Sequence, residues 1–455
     1  MNLLLVVVDA LRADRFGLHG SERDTTPFLD ELAADGRWYP NFFTSANSTF
    51  PALASLFSGT SPFRHGVYSR RGERIRPGVF DLASVLRRAG YRAGALDNLV
   101  REHGWLGPGF RDRIDLRRPG AVYNETHEFV DATCDWLSSV GEEPFFFYVR
   151  LCSTHTPYKA PADLRGRYYR GDPTTTNVGS LDGLRRDPVR KRQVLRWLEE
   201  AGQAWPAASG TRIEDIDWVR AQYDACVRDA DDGLRGIHEH LQKSGLADDT
   251  LTVVLGDHGE SLGEHGITCD HHGLYDVSLR TPLVFHGPGV PPGCERGVAR
   301  TADVAATILD LLDLRSDEHA IGRSLLSTPR SPDDAVLTSE ASWMFKHSLR
   351  TSQWKYILSL AEDAFGFPAE ELYDLAADPG EKKNLAESLP LQARQLRHQL
   401  EAAVREECTA GGLEEDPVAQ LAGENAGRLF APVEPLAPAS RVRRVLRRVG
   451  AGLRG

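Results

Sequence analysis

Two short apolar runs each end on a residue that can hold a metal. Leu3-Leu4-Leu5-Val6-Val7-Val8 leads straight into Asp9, and Leu251-Thr252-Val253-Val254-Leu255 leads through Gly256 into Asp257-His258-Gly259-Glu260. Unbroken apolar runs of this length are the mark of strands buried on both faces of a parallel sheet. Ligands of open α/β sheets gather outside the carboxyl ends of such strands. Asp9, Asp257 and His258 are therefore expected to meet in space, although about 250 residues separate them in the chain. Between them lies Ser48-Thr49-Phe50-Pro51-Ala52-Leu53, a hydroxyl pair ahead of a proline that can begin a helix. Two carboxylates, an imidazole and a hydroxyl at one sheet edge suit metal-assisted attack on an anionic ester.

A chain of 455 residues can bury a large core, and the expected fold class is α/β with a smaller C-terminal part. The net charge of −11 argues against a general nucleic-acid binder. The six cysteines show no CxxC pairing, which points to reduced thiols. Met1-Asn2 runs directly into the first strand with no charged leader, and its apolar run is too short for a signal peptide or a membrane span. A cytoplasmic location is the expectation.

Helices are expected at Thr25 to Gly36, Pro51 to Ser58, Val79 to Ala89 and Trp218 to Ser244. Phe145 to Val149 is a further buried strand, leading to Ser153-Thr154-His155-Thr156-Pro157, and Pro282 to Phe285 is another, ending at His286. Residues 160–220 turn polar and read as an insertion at a substrate lip. The catalytic domain is placed at 1–335, a small subdomain at 336–390, a helical extension at 391–432, and a linker and tail at 433–455. Residues 441–455 carry six arginines with Val442, Val445, Leu446, Val449 and Leu453 at helical spacing. They are a candidate amphipathic helix for peripheral contact with an anionic membrane, against the plainer reading of a solvated terminus.

Asp9, Asp257 and His258 form a hard-to-borderline donor set, which favours Mn or Zn over Ca or Mg as the one divalent ion. Thr49 is a fourth candidate ligand: with its Oγ on that ion, the hydroxyl becomes more acidic and a better nucleophile. A helix start just after Thr49 would present free backbone N–H groups to a transferred anion.

The ordered motifs resemble the sulfatase family of the alkaline phosphatase superfamily. Val8-Asp9-Ala10-Leu11-Arg12-Ala13-Asp14 is similar to the family's opening strand and first metal ligand. Thr25 to Ala33 resembles its first helix, and Thr49 to Gly59 lies where the family carries its nucleophile, with Pro62 to Val67 following. Asp257-His258-Gly259-Glu260, Tyr275-Asp276, Arg280 to Leu283, Trp354-Lys355-Tyr356 and Glu371 to Leu375, with Asp378-Pro379, Glu381 and Asn384-Leu385, continue the series to about residue 390. The resemblance implies an alkaline-phosphatase-like mixed, mostly parallel sheet flanked by helices, with a small C-terminal α+β subdomain.

Departures from the family pattern bear on the chemistry. Typical members carry a Cys or Ser, oxidised to formylglycine, where Thr49 stands; threonine would give a ketone, so it acts unmodified. Leu53 replaces the Arg that supports the formylglycine, Ala10 replaces a second Asp, and His258 replaces an Asn. This is the pattern of phosphate-ester enzymes of the superfamily. By the same resemblance His155 serves the anion or the leaving oxygen, and His271 takes the place of an anion-binding Lys, with His272 as its competitor. Asn98 follows the strand at 91–97 where a Lys-x-His pair is usual, so the anion pocket is expected to be less positive, with Lys159 and His103 as substitutes. The expected reaction is hydrolysis of a phosphate or sulfate ester, phosphomonoesters or diesters favoured, on a small or glycan-linked substrate. A transferase acting on a surface glycan or lipid, and a silent anion-binding homologue, are the alternatives. The sequence leaves the oligomeric state open.

Overall fold

The computed structural model describes residues 1–69, 73–116, 125–175, 214–314, 322–326, 331–363 and 365–425. The basic tail at 441–455, the linker before it and most of the insertion at 160–220 lie outside the described residues.

The central sheet has eight strands in the order Gly293–Cys294, Arg37–Trp38, Leu283–His286, Thr250–Gly256, Asn2–Val8, Phe145–Leu151, Arg92–Leu96 and Asp112–Ile114. Only Leu283–His286 runs against the rest, so the sheet is mixed and mostly parallel. The two apolar runs occupy its middle and are buried along their whole length. Leu4, Val6 and Val8 face one core, with the helices Pro27–Asp35, Thr126–Ser138 and Ile216–Lys243. Leu3, Leu5 and Val7 face the other, with Thr49–Ser58, Leu82–Arg88 and Thr301–Leu311. Alternate side chains of a strand point to opposite faces, so a strand covered twice must be apolar throughout. Each such side chain contributes about 1.5–3 kcal/mol on burial, as an upper bound.

Register then fixes the site. Val8 is level with Gly256 on one side and with Leu151 on the other. The next residues, Asp9 and Asp257, therefore leave neighbouring parallel strands at the same height.

Helix boundaries differ from expectation where caps decide them. The helix expected from Pro51 begins at Thr49, with Ser48 as the capping position and all ten residues buried. Proline lacks an N–H that the first turn would leave unbonded, so it is accommodated inside that turn. The helix expected from Val79 starts at Leu82, because the Asp81 carboxylate accepts the Ser84 N–H.

Four antiparallel strands, Val336–Glu340, Lys346–Arg350, Trp354–Ser359 and Glu370–Asp374, form the C-terminal sheet. The helix Pro390–Ala410 covers one face through Leu396, Leu400 and Val404. Ile357 and Tyr373 pack with Leu274, Tyr275 and Leu279, joining this sheet to the main one. Buried charges reinforce the joint: Asp276 binds Arg350 at 3.1 Å and also Lys355, which reaches Glu381 at 2.9 Å. The Tyr275-Asp276, Trp354-Lys355-Tyr356 and Glu381 motifs thus tie the two parts together. All six cysteines are free thiols.

Candidate active site

Asp9, Asp257 and His258 converge at the carboxyl end of the central strands, each offering a ligand atom within 4.8 Å of the others. All three are buried. His258 Nδ1 donates to the Gly259 carbonyl at 2.8 Å, which leaves the Nε2 lone pair facing Asp9 Oδ1 at 3.5 Å and Asp257 Oδ2 at 3.8 Å. Asp257 Oδ1 accepts from the N–H groups of Ala10 and His258, whereas its Oδ2 is buried and accepts no hydrogen bond. A buried carboxylate oxygen and an imidazole lone pair aimed at one point fit a divalent cation. Burial pushes the Asp257 carboxyl above its usual range, His258 opposes this and Asp9 adds repulsion.

Ala10, at the position where a second carboxylate was expected from the resemblance, has φ of 57°. This left-handed conformation turns its N–H to Asp257 and its carbonyl to the Tyr223 hydroxyl at 2.7 Å. Backbone strain of this kind is sustained where surrounding bonds over-determine it.

Thr49 stands at the first turn of its helix with Oγ 3.2 Å from His258 Nε2. The helix is ten residues long, and its positive dipole end lies beside this hydroxyl. His65 Nε2 meets Ser55 Oγ at 2.9 Å while Nδ1 accepts the Val67 N–H, so a fully buried imidazole anchors the helix from behind.

Of the other histidines, His271 packs its ring 4.2 Å from that of His258, and His155 lies 6.2 Å from His271. His155 Nδ1 is bonded to the Thr156 carbonyl at 2.7 Å. His272 turns elsewhere: its Nε2 is 2.8 Å from Asp270 and its Nδ1 is 3.7 Å from Glu340, with 1% of the side chain exposed. Glu340 in turn accepts from Asn47 Nδ2 and the Gly273 N–H, both at 2.9 Å. His103 packs edge-on against Phe50, with ring centres 4.8 Å apart, and lies tilted 5.9 Å from Trp105. Lys159 is exposed and Asn98 heads a short helix; among the described residues neither has a hydrogen bond or ion pair to Asp9, Asp257, His258 or Thr49.

Arg150 and Asp97 belong to the site and were missed. The Arg150 guanidinium binds Asp9 and holds Asp97 through two nitrogens, each at 3.0 Å. Asp97 also accepts from the Tyr148 hydroxyl at 2.7 Å and the Leu99 N–H at 2.8 Å. Burial works against the guanidinium charge, but Asp97, Cys152 and Asp9 outweigh it and raise its pKa. This guanidinium lies between the Asp9 and Asp97 carboxylates and balances their charge. A lone Arg inside Phe-Phe-Phe-Tyr-Val-Arg-Leu was the available signal, because a charge in a doubly covered strand must find a partner.

The Sulfatase family model matches residues 1–314. The choline-sulfatase of Rhizobium meliloti is 26% identical, covering 85% of this chain and 82% of that protein. A multifunctional alkaline phosphatase superfamily protein of Trinickia caryophylli is 25% identical over 85% of this chain and 91% of its own. The phosphonate monoester hydrolase of Silicibacter pomeroyi superposes with a TM-score of 0.68 at 21% identity, covering 92% of this chain and 96% of that one. At that identity the structural likeness speaks to the fold. The matched span, the sheet and the position of the Asp-Asp-His cluster at its carboxyl edge agree: the chain belongs to the sulfatase family of ester hydrolases, within the alkaline phosphatase superfamily.

Proposed function

We propose that this protein is a divalent-metal-dependent hydrolase of phosphate or sulfate esters, with phosphomonoesters or diesters favoured and Thr49 as nucleophile. The observation that carries this reading is the placement of Thr49 Oγ 3.2 Å from His258 Nε2, at a helix N-terminus beside the Asp9, Asp257 and His258 cluster. Relatives named choline-sulfatase and multifunctional alkaline phosphatase superfamily protein are consistent with an anionic ester substrate.

A divalent ion held by Asp9, Asp257 and His258 would neutralise non-bridging oxygens and acidify the hydroxyl beside it. Two carboxylates and an imidazole favour Mn or Zn for that role. The N–H groups opening the Thr49 helix orient the anion. Thr49 Oγ forms the new bond to phosphorus or sulfur, and the bond from that atom to the alcohol oxygen breaks. The Thr49 proton leaves to water or to His271, since His258 Nε2 is committed as a ligand. His155 gives a proton to the departing alcohol oxygen, and water then attacks phosphorus or sulfur to release Thr49 with its proton restored. Arg150 holds Asp9 in place from behind.

The test uses metal-stripped protein reloaded in turn with Mn, Zn, Ca or Mg and assayed on aryl phosphate, bis-aryl phosphodiester and aryl sulfate. Turnover that requires Mn or Zn, and that falls by about 10⁴-fold in Thr49→Ala with fold and metal binding kept, supports the reading. Undiminished turnover in Thr49→Ala contradicts it.

A further inference from the structure

We infer that Asn47 is a positioning residue: its carboxamide holds the His271 loop against the segment that carries Thr49, with Glu340 of the C-terminal sheet as the anchor. The inference deepens the hydrolase reading and rests on it for the roles of Thr49 and His271. Asn47 precedes Thr49 by two residues, in a stretch at 44–48 that belongs to no helix or strand. It is buried, with 1% of its surface exposed. Chain without a backbone ladder takes its position from the side-chain bonds it makes.

Asn47 Nδ2 donates to the His271 carbonyl at 2.9 Å, to the Gly273 carbonyl at 3.1 Å and to Glu340 Oε2 at 2.9 Å. Two protons serve three acceptors, so one of them is shared. Every partner is an acceptor, which settles the end of the amide that carries nitrogen: the flipped side chain would set its oxygen against three others. Glu340 Oε2 also accepts the Gly273 N–H at 2.9 Å, so Gly273 is gripped at both its N–H and its carbonyl. Two residues beyond Glu340, Ser342 Oγ donates to Ser48 Oγ at 3.3 Å. The end of the strand Val336–Glu340 is thus bound to both segments.

Both segments meet the same imidazole. Thr49 Oγ is 3.2 Å from His258 Nε2, and the His271 ring packs 4.2 Å from that of His258. His271 accepts from Asn47 through its own carbonyl, so the backbone that carries its ring is the backbone that Asn47 holds. His272, next in the chain, lies against Asp270 and faces Glu340. Without the Asn47 amide, two carbonyls and Glu340 Oε2 lose a donor, and the loop is released to shift relative to Thr49. A displacement of about 1 Å between reacting groups can lower turnover about 10²-fold.

The test uses the full-length protein with Asn47→Ala, and Glu340→Gln as the milder variant should the first fail to fold. Glu340→Gln keeps the shape and an acceptor oxygen but removes the charge that strengthens both bonds. Hydrogen–deuterium exchange of the metal-free proteins is read on peptides covering 271–274 and 250–256. The inference expects exchange across 271–274 to quicken about tenfold in Asn47→Ala and less in Glu340→Gln, with 250–256 unchanged. In Mn- or Zn-loaded enzyme acting on aryl phosphate, kcat should fall about 10²-fold in Asn47→Ala with KM within about twofold of wild type. That fall should shrink to less than about threefold in a His271→Ala background, because Asn47 acts through His271. Unchanged exchange at 271–274 in both variants overturns the inference. So does faster exchange at 250–256 as well, which would make Asn47 a general support of the fold. Additive losses at 47 and 271, with Thr49→Ala inactive, reject the positioning role and leave the hydrolase reading standing. Loosening confined to 271–274 in a protein that turns over no ester would keep the clamp and reject the hydrolase reading.

Discussion

Arg150 and Asp9 form a buried ion pair between neighbouring parallel strands, so the first carboxylate of the site is matched by a fixed cation of the protein itself. Arg150 is in turn locked by Asp97. Asp9 is therefore held in position before any ion arrives.

Removing that cation should leave Asp9 and Asp97 as uncompensated buried charges. Arg150→Met is expected to destabilise the metal-free protein by about 3–5 kcal/mol. Saturating Mn or Zn should return part of the loss, because the ion then faces Asp9. Thermal melts in chelator and in metal would check this; a loss of the same size in both would separate Arg150 from the ligand set.

Metal loading should stabilise the wild-type chain even where no substrate is present. At a free ion concentration of 100 times Kd the gain is about 2.7 kcal/mol. His258→Ala should abolish most of that gain, since Nε2 is the neutral donor of the set. The melting temperature is measured against ion concentration for both proteins, and parallel curves would remove His258 from the ligands.

Stability should also depend on pH through His65. Burial, assisted by the Arg76 charge, lowers its pKa to about 3 from an ordinary value of 6.5. The folded state keeps this imidazole neutral while the unfolded chain protonates it below 6.5. The contribution is thus present above pH 6.5 and is lost as pH falls towards 3. At pH 5 the loss from this group is about 2 kcal/mol. Denaturant titrations of wild type and His65→Gln from pH 8 to 5 should show a shallower slope in the variant; equal slopes would contradict the assignment.

Ala10 occupies a left-handed conformation that a side chain disfavours. Ala10→Gly is expected to raise stability by up to about 1 kcal/mol, with the N–H bond to Asp257 intact. A fall in melting temperature would mean that the Ala10 methyl is needed for packing.

Much of this was legible in the chain. The strand runs ending at Asp9 and Asp257 fixed the sheet, because only a doubly covered strand tolerates a mostly apolar run with no solvent-facing alternation. Parallel register then did what no local pattern could, placing both aspartates at one height. Arg150 and Asp97 escaped notice because each is a single charged residue whose partner lies 53 positions away. His272 and His271 look alike in sequence, but only His271 packs on His258, while His272 lies against Asp270 and Glu340. The start of the Thr49–Ser58 helix lies two residues before the expected one because Pro51 suggests a first position when it sits within the first turn.

The most direct test of the account is to trap the Thr49 ester. Enzyme loaded with Mn or Zn would be quenched in acid during turnover of an aryl phosphate or aryl sulfate, digested, and the peptide containing Thr49 weighed and fragmented. A phosphoryl or sulfuryl group on Thr49, absent from the Thr49→Ala protein, is the predicted result. An unmodified Thr49 peptide under rapid turnover would contradict the account, leaving direct attack by water at this site.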